Sequence, residues 1–173
     1  MKLVLIRHGI AEERATVKPR AAGLGPLDAD RRLTTKGTRR VRAAAAALRE
    51  LGVRPDVVLH SGLVRARETA ELVAARLRPR RSELVVTDAL VPEADPQLLF
   101  DELRRLRARS VVAVGHAPNL DRVVALACGA SGRFVTSLGK AAAACIELPD
   151  SGRAAGRLVW LLPPRMLRRF RKT

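Results

Sequence analysis

The chain has 173 residues, 47% apolar but only 2% aromatic, and 33 Lys and Arg against 17 Asp and Glu leave a net charge of +16. The length suits one domain, 1–173, with a core of small aliphatic side chains, and the charge favours anions of every kind without choosing among them. With so few stacking side chains a single-stranded nucleic-acid reader is disfavoured, and no apolar run reaches the length of a membrane helix.

Leu3-Val4-Leu5-Ile6 is a short apolar run closed by charge and glycine, the pattern of a strand buried on both faces. It is too short for a signal-peptide core. Residues 11–32 are polar, with Pro19, Gly23, Gly25 and Pro26, and are expected as a long functional loop. Thr34 and Thr35 supply a cap for a helix over 36–51, where Val41, Ala45 and Leu48 share a face and Gly52 ends it. Arg39, Arg42 and Arg49 are expected on its solvated side.

Asp56–His60 follows as a second strand, then a helix over 63–77 with Leu63, Ala66, Ala70, Val73 and Leu77 inward and Arg67 and Arg76 outward. A strand at 84–86, a helix at 96–107, a strand at 111–114 and a helix opened by Pro118 over 118–127 continue the alternation. Two strands, 141–148 and 156–162, joined by a turn at Asp150-Ser151-Gly152, form a hairpin. From about 165 the chain is a basic tail, expected as an exposed end. Alternating strands and helices predict an α/β fold, a three-layer αβα arrangement with a mostly parallel central sheet and an antiparallel C-terminal hairpin. Cys128 and Cys145 lack metal-ligand spacing and are expected as buried free thiols. A cytoplasmic protein is expected.

Ligands of open parallel sheets bind beyond the carboxyl ends of the strands. Here those ends carry Arg7-His8-Gly9, then His60-Ser61 with Arg65 one turn into the next helix, then Gly115-His116. Two arginines and two imidazoles would make a positive pocket suited to a phosphoryl group. Guanidinium forks bind its oxygens bidentately, helix starts add N–H donors, and a neutral imidazole in line with phosphorus can attack it. Neither metal nor cofactor is called for.

These residues resemble the histidine phosphatase superfamily, which includes phosphoglycerate mutases and acid phosphatases. Arg7-His8-Gly9 resembles its signature. Leu33-Thr34-Thr35-Lys36-Gly37 resembles its L-T-x-x-G element, Ser61 to Thr69 its S-P-x-x-R-A-x-x-T segment, and Val114 to Pro118 the segment of its second histidine. The short chain, the hairpin and the ending Leu161-Leu162-Pro163-Pro164 resemble the SixA-type phosphohistidine phosphatases. The resemblance implies His8 as nucleophile, with Arg7, Arg65 and His116 binding phosphate and stabilising the transition state. Gly9, Ser61 and His60 border that site as substrate contacts. Ser61 also suits a turn or cap, His60 a structural place near the rim, and Thr69 a packing position.

The chain departs from the family pattern at Gly62, where proline is usual, and at His60, where a small polar residue is usual. The asparagine and aromatics that follow R-H-G in the mutases are absent, which argues against mutase activity. No counterpart of the larger members' general-acid glutamate is found. Asp88 is the nearest candidate proton donor and Glu93 the next. The expected partner is a protein carrying phosphohistidine, such as a histidine phosphotransfer domain. A small phosphate ester, nucleotide or polyphosphate is the alternative substrate, and a non-catalytic phosphate-binding module the alternative class.

Overall fold

The computed structural model describes residues 1–13, 28–79, 84–130, 132, 133, 135–151 and 153–170. Its strands are β1 (Lys2–Arg7), β2 (Val57–His60), β3 (Leu84–Val86), β4 (Ser110–Gly115), β5 (Ala143–Glu147) and β6 (Arg157–Leu162). Its helices are α1 (Thr35–Glu50), α2 (Val64–Leu77), α3 (Pro96–Leu106), α4 (Asn119–Ala127) and α5 (Pro164–Leu167). The sheet runs β3-β2-β4-β1-β5-β6, with β1 to β4 parallel and β5 and β6 antiparallel to their neighbours. This is the expected α/β fold, with helices on both faces of a mixed sheet.

The continuous apolar runs have a physical reason. Side chains alternate across a strand, so Leu3 and Leu5 enter the core under α3 and α4, while Val4 and Ile6 enter the core under α1 and α2. β4 divides in the same way, Val111 and Ala113 against Val112 and Val114. The three central strands have no solvent face on which to place a polar residue.

Local signals hold where the chemistry is local. Thr34 caps α1 by accepting the Gly37 N–H at 3.0 Å, and Gly52 takes the left-handed conformation after it, with φ 76°. α4 begins one residue later than expected, with Pro118 as its cap rather than its first turn.

Three expectations change. Cys128 is exposed, because it ends α4 beyond the apolar face, while Cys145 is buried on β5. The basic tail is not simply an exposed end: α5 buries Leu167 against the α1 side of the core. Arg49 is half-buried and donates to the Arg76 carbonyl at 2.9 Å, whereas Arg39 and Arg42 are solvated as expected. Residues 14–27, most of the expected loop, lie outside the described residues, as do Gly152 of the hairpin turn and residues 171–173 of the tail. The loop's described end forms a 3-10 turn at Asp28–Asp30.

Among the described residues no helix is long and apolar enough to cross a membrane.

Candidate active site

β4 lies between β1 and β2, so the segments that follow these three strands meet at one end of the sheet. His8 is fixed by main-chain bonds on both sides. Its N–H donates to the Gly115 carbonyl at 3.1 Å, and its carbonyl accepts the Ala141 N–H at 3.1 Å. The His8 and His116 rings lie 4.8 Å apart between centroids, tilted by 48°. Both are buried, as are Arg65 and Ser61. The structure thus brings Arg7, His8, Gly9, Ser61, Arg65 and His116 together.

The tautomer of His8 follows from its partner. Nδ1 lies 2.7 Å from the Gly9 carbonyl. A carbonyl oxygen only accepts, so Nδ1 carries the proton and the lone pair is on Nε2. Ser61 Oγ shares a hydrogen bond of 2.7 Å with His116 Nε2, which makes Ser61 a partner of the second histidine. Thr69, expected as packing, also ties the site together. Its hydroxyl accepts the Gly9 N–H at 3.1 Å and donates to the Arg65 carbonyl at 2.7 Å.

The two departures from the family pattern belong together. Gly62 has φ 56°, which proline cannot adopt, and its N–H, which proline lacks, donates to His60 Nδ1 at 3.2 Å. His60 is therefore a buried brace of this turn, the structural place expected for it.

Asp88 is exposed. Thr87 caps the 3-10 turn at Asp88–Leu90, Ala89 and Leu90 take its buried positions, and no hydrogen bond joins Asp88 to either histidine. Glu93 is exposed as well. Both carboxylates therefore stand in solvent rather than in the buried cluster around His8 and His116.

Three residues of the site escape sequence reading. Asp121 is buried on α4 and accepts the Leu138 N–H at 2.8 Å and the Thr136 hydroxyl at 3.0 Å. The Leu138 carbonyl then accepts Arg7 Nη1 at 2.7 Å, so Asp121 braces the peptide that braces Arg7. Asn119 donates to the Ala89 and Val91 carbonyls at 3.0 and 2.7 Å, joining the His116 segment to the turn after β3. Asp28 reaches Arg65: its carbonyl accepts Nη1 at 2.7 Å and its carboxylate accepts Nη2 at 2.9 Å.

Burial dominates the electrostatics. It lowers His8 from 6.5 to about 3, with Arg65, Arg7 and Lys140 adding to the effect against the Gly9 bond. His116 falls to about 3 through burial, then its neighbours His8 and Arg65, with Asp28 opposing. Arg7 is lowered by burial and partly restored by Asp121. Both imidazoles are neutral at physiological pH, as a nucleophile and a hydrogen-bonding partner require. Among the described residues no group of three or more His, Cys, Asp or Glu side chains is placed to hold a metal ion.

A stability prediction follows. Unfolded histidine takes its proton near 6.5, but folded His8 and His116 do so only near 3. Between those values the unfolded chain binds more protons, so acid favours unfolding; above 6.5 these rings contribute no pH dependence. Urea midpoints should be level with respect to these rings above pH 6.5. They should fall below it, the unfolding free energy dropping by roughly 3 kcal/mol per ring at pH 4.5. Stability rising from pH 6.5 to 4.5 would contradict neutral burial.

A model of the histidine phosphatase superfamily (branch 1) matches residues 3–92. An uncharacterised protein of Picosynechococcus sp. is 38% identical over 140 residues, 78% of each chain. The solved structure of the protein histidine phosphatase SixA complexed with tungstate agrees at TM-score 0.79 and 29% identity, covering 95% of this chain and 98% of that one. A phosphoserine phosphatase of Entamoeba histolytica agrees at TM-score 0.69 and 16% identity over 96% and 98% of the two chains, which shows the fold alone. The family match spans the Arg7-His8-Gly9 turn and the Ser61–Thr69 segment whose meeting builds this pocket, and on that match the chain belongs to the histidine phosphatase superfamily, branch 1.

Proposed function

We propose that the protein is a metal-independent phosphatase that carries the phosphoryl group on His8, and that it removes phosphate from phosphohistidine in a protein such as a histidine phosphotransfer domain. The observation that carries this reading is the Nδ1–H bond from His8 to the Gly9 carbonyl, which leaves Nε2 as a neutral, buried lone pair beside Arg7, Arg65 and His116.

In the first step Nε2 forms a bond to phosphorus while the bond to the leaving nitrogen breaks, its electron pair going to that nitrogen. Arg7, Arg65 and His116 hold the three outer oxygens and the charge on them. In the second step water forms a bond to phosphorus, the electron pair of the P–N bond returns to His8, and the water's protons stay on the released phosphate and solvent.

Leaving-group chemistry favours a phosphoramidate. An alkoxide needs a proton from the enzyme, a service worth about 10²–10⁴-fold. The two candidate carboxylates, Asp88 and Glu93, are both exposed, and neither is hydrogen-bonded to His8 or His116. Phosphohistidine leaves as neutral imidazole when its other ring nitrogen already carries a proton. The likeness to SixA supports the same choice, while the fold shared with a phosphoserine phosphatase leaves the choice to the site.

The test is a rate comparison in EDTA on a phosphohistidine-bearing relay domain and on an alkyl phosphate. Turnover of the phosphohistidine should exceed that of the ester by at least about 10²-fold. Faster hydrolysis of the ester would overturn the substrate reading, and loss of all turnover in EDTA would overturn the metal-free one.

A further inference from the structure

We propose that Asp28 is the positioning residue for Arg65: it holds that guanidinium in the pose that receives the phosphoryl group. This rests on the phosphatase reading above. The Arg65 side chain is 3% exposed, and a cation so far from water needs a fixed counter-charge. Asp28 supplies one through two separate contacts, a main-chain carbonyl on Nη1 and a carboxylate oxygen on Nη2.

The far side of the carboxylate is anchored too. Its other oxygen lies 2.9 Å from Arg31 Nε, and Arg31 Nη1 donates to the Glu12 carbonyl at 2.9 Å. Asp28 therefore bridges two arginines, and its place is set from the chain segment next to β1 as well as from α2. This arrangement separates a clamp from two other roles. A carboxylate that merely fills the phosphate's place would not need a main-chain carbonyl beside it, which phosphate cannot displace without moving the chain. A proton donor would keep an oxygen free to meet the leaving group, whereas each carboxylate oxygen of Asp28 faces a guanidinium nitrogen at 2.9 Å.

Asp28 also lies within the electrostatic field of His116, opposing the effect of burial there. Removing it thus disturbs both the pose of Arg65 and the charge balance of the pocket. The effect should appear wherever phosphate is held, not at one leaving group.

The experiment compares wild type with Asp28→Ala and Asp28→Asn. It measures affinity for inorganic phosphate by calorimetry, and kcat/KM on 4-nitrophenyl phosphate and on phenyl phosphate. Wild type should bind phosphate, and Asp28→Ala should weaken binding by at least about tenfold. Asp28→Ala should slow both esters by the same factor, with Asp28→Asn intermediate because it keeps one acceptor oxygen. Tighter phosphate binding in Asp28→Ala would show a resident competitor and overturn the proposal. So would a loss confined to phenyl phosphate, which marks a proton donor, or no change in either variant. Failure of wild type itself to bind phosphate or turn over any phosphoryl compound overturns the parent reading instead, which keeps the two distinguishable.

Discussion

Replacing His8 with alanine is expected to lower turnover by at least about 10⁴-fold while phosphate affinity stays within about tenfold of wild type. The split follows from the division of labour in the pocket. On the proposed mechanism Arg7 and Arg65 carry the positive charge that holds the anion, and His116, hydrogen-bonded to Ser61, lies beside His8. None of these has a lone pair placed by a neighbouring carbonyl as His8 does, through the 2.7 Å bond that fixes its proton on Nδ1. A nucleophile acts only in the reaction, whereas the arginines act in binding and reaction alike. A brief incubation of wild type with labelled substrate should also leave an alkali-stable, acid-labile label that is absent from His8→Ala. Turnover within tenfold of wild type in the variant, or an unchanged label, would remove His8 as the phosphoryl carrier.

The parts of this site that were legible in the sequence are those whose signal is local. The apolar runs of β1 and β4, the threonine before α1 and the glycine after it each reflect a constraint within a few residues. The His8 and His116 positions were legible because a strand end and a family motif coincide at each, and Arg65 because its motif opens the helix that follows a strand end. What stayed hidden is contact chemistry between distant residues. Asp28 stands 37 positions from Arg65 and Asp121 stands 17 from Leu138, and neither lies in a recognisable pattern. Asp88 drew attention by following a strand, yet the residues beside it, Ala89 and Leu90, take the buried places. Gly62 and His60 read as two separate irregularities until their hydrogen bond joined them.

Gly37→Ala is expected to destabilise the fold by about 3 kcal/mol or more, although alanine is the better helix former by about 1 kcal/mol. Gly37 is the third residue of α1, and a Cβ there would run into the Ile10 carbonyl oxygen and stand 2.9 Å from the Ile10 carbonyl carbon. Both obstacles are main chain, so no rotamer change relieves the clash. The same Ile10 carbonyl accepts the Thr34 N–H at 2.9 Å and the Thr34 hydroxyl at 3.2 Å, which gives the whole L-T-x-x-G element a physical meaning. Threonine caps the helix and pins Ile10, and glycine lets the first turn lie directly on that peptide. Ile10 is two residues from His8, and Gly9 is itself hemmed in, with Val41 Cγ2 only 2.7 Å from where its own Cβ would be. Moving Ile10 therefore moves the turn that places His8. The thermal midpoint should fall by about 6–12 °C. kcat should drop even at temperatures where circular dichroism shows the variant folded, with KM changed less because Arg7 and Arg65 stand on other contacts. A variant as stable and as active as wild type would mean that α1 can slide off Ile10 without cost, and that this glycine does not hold the His8 turn in place.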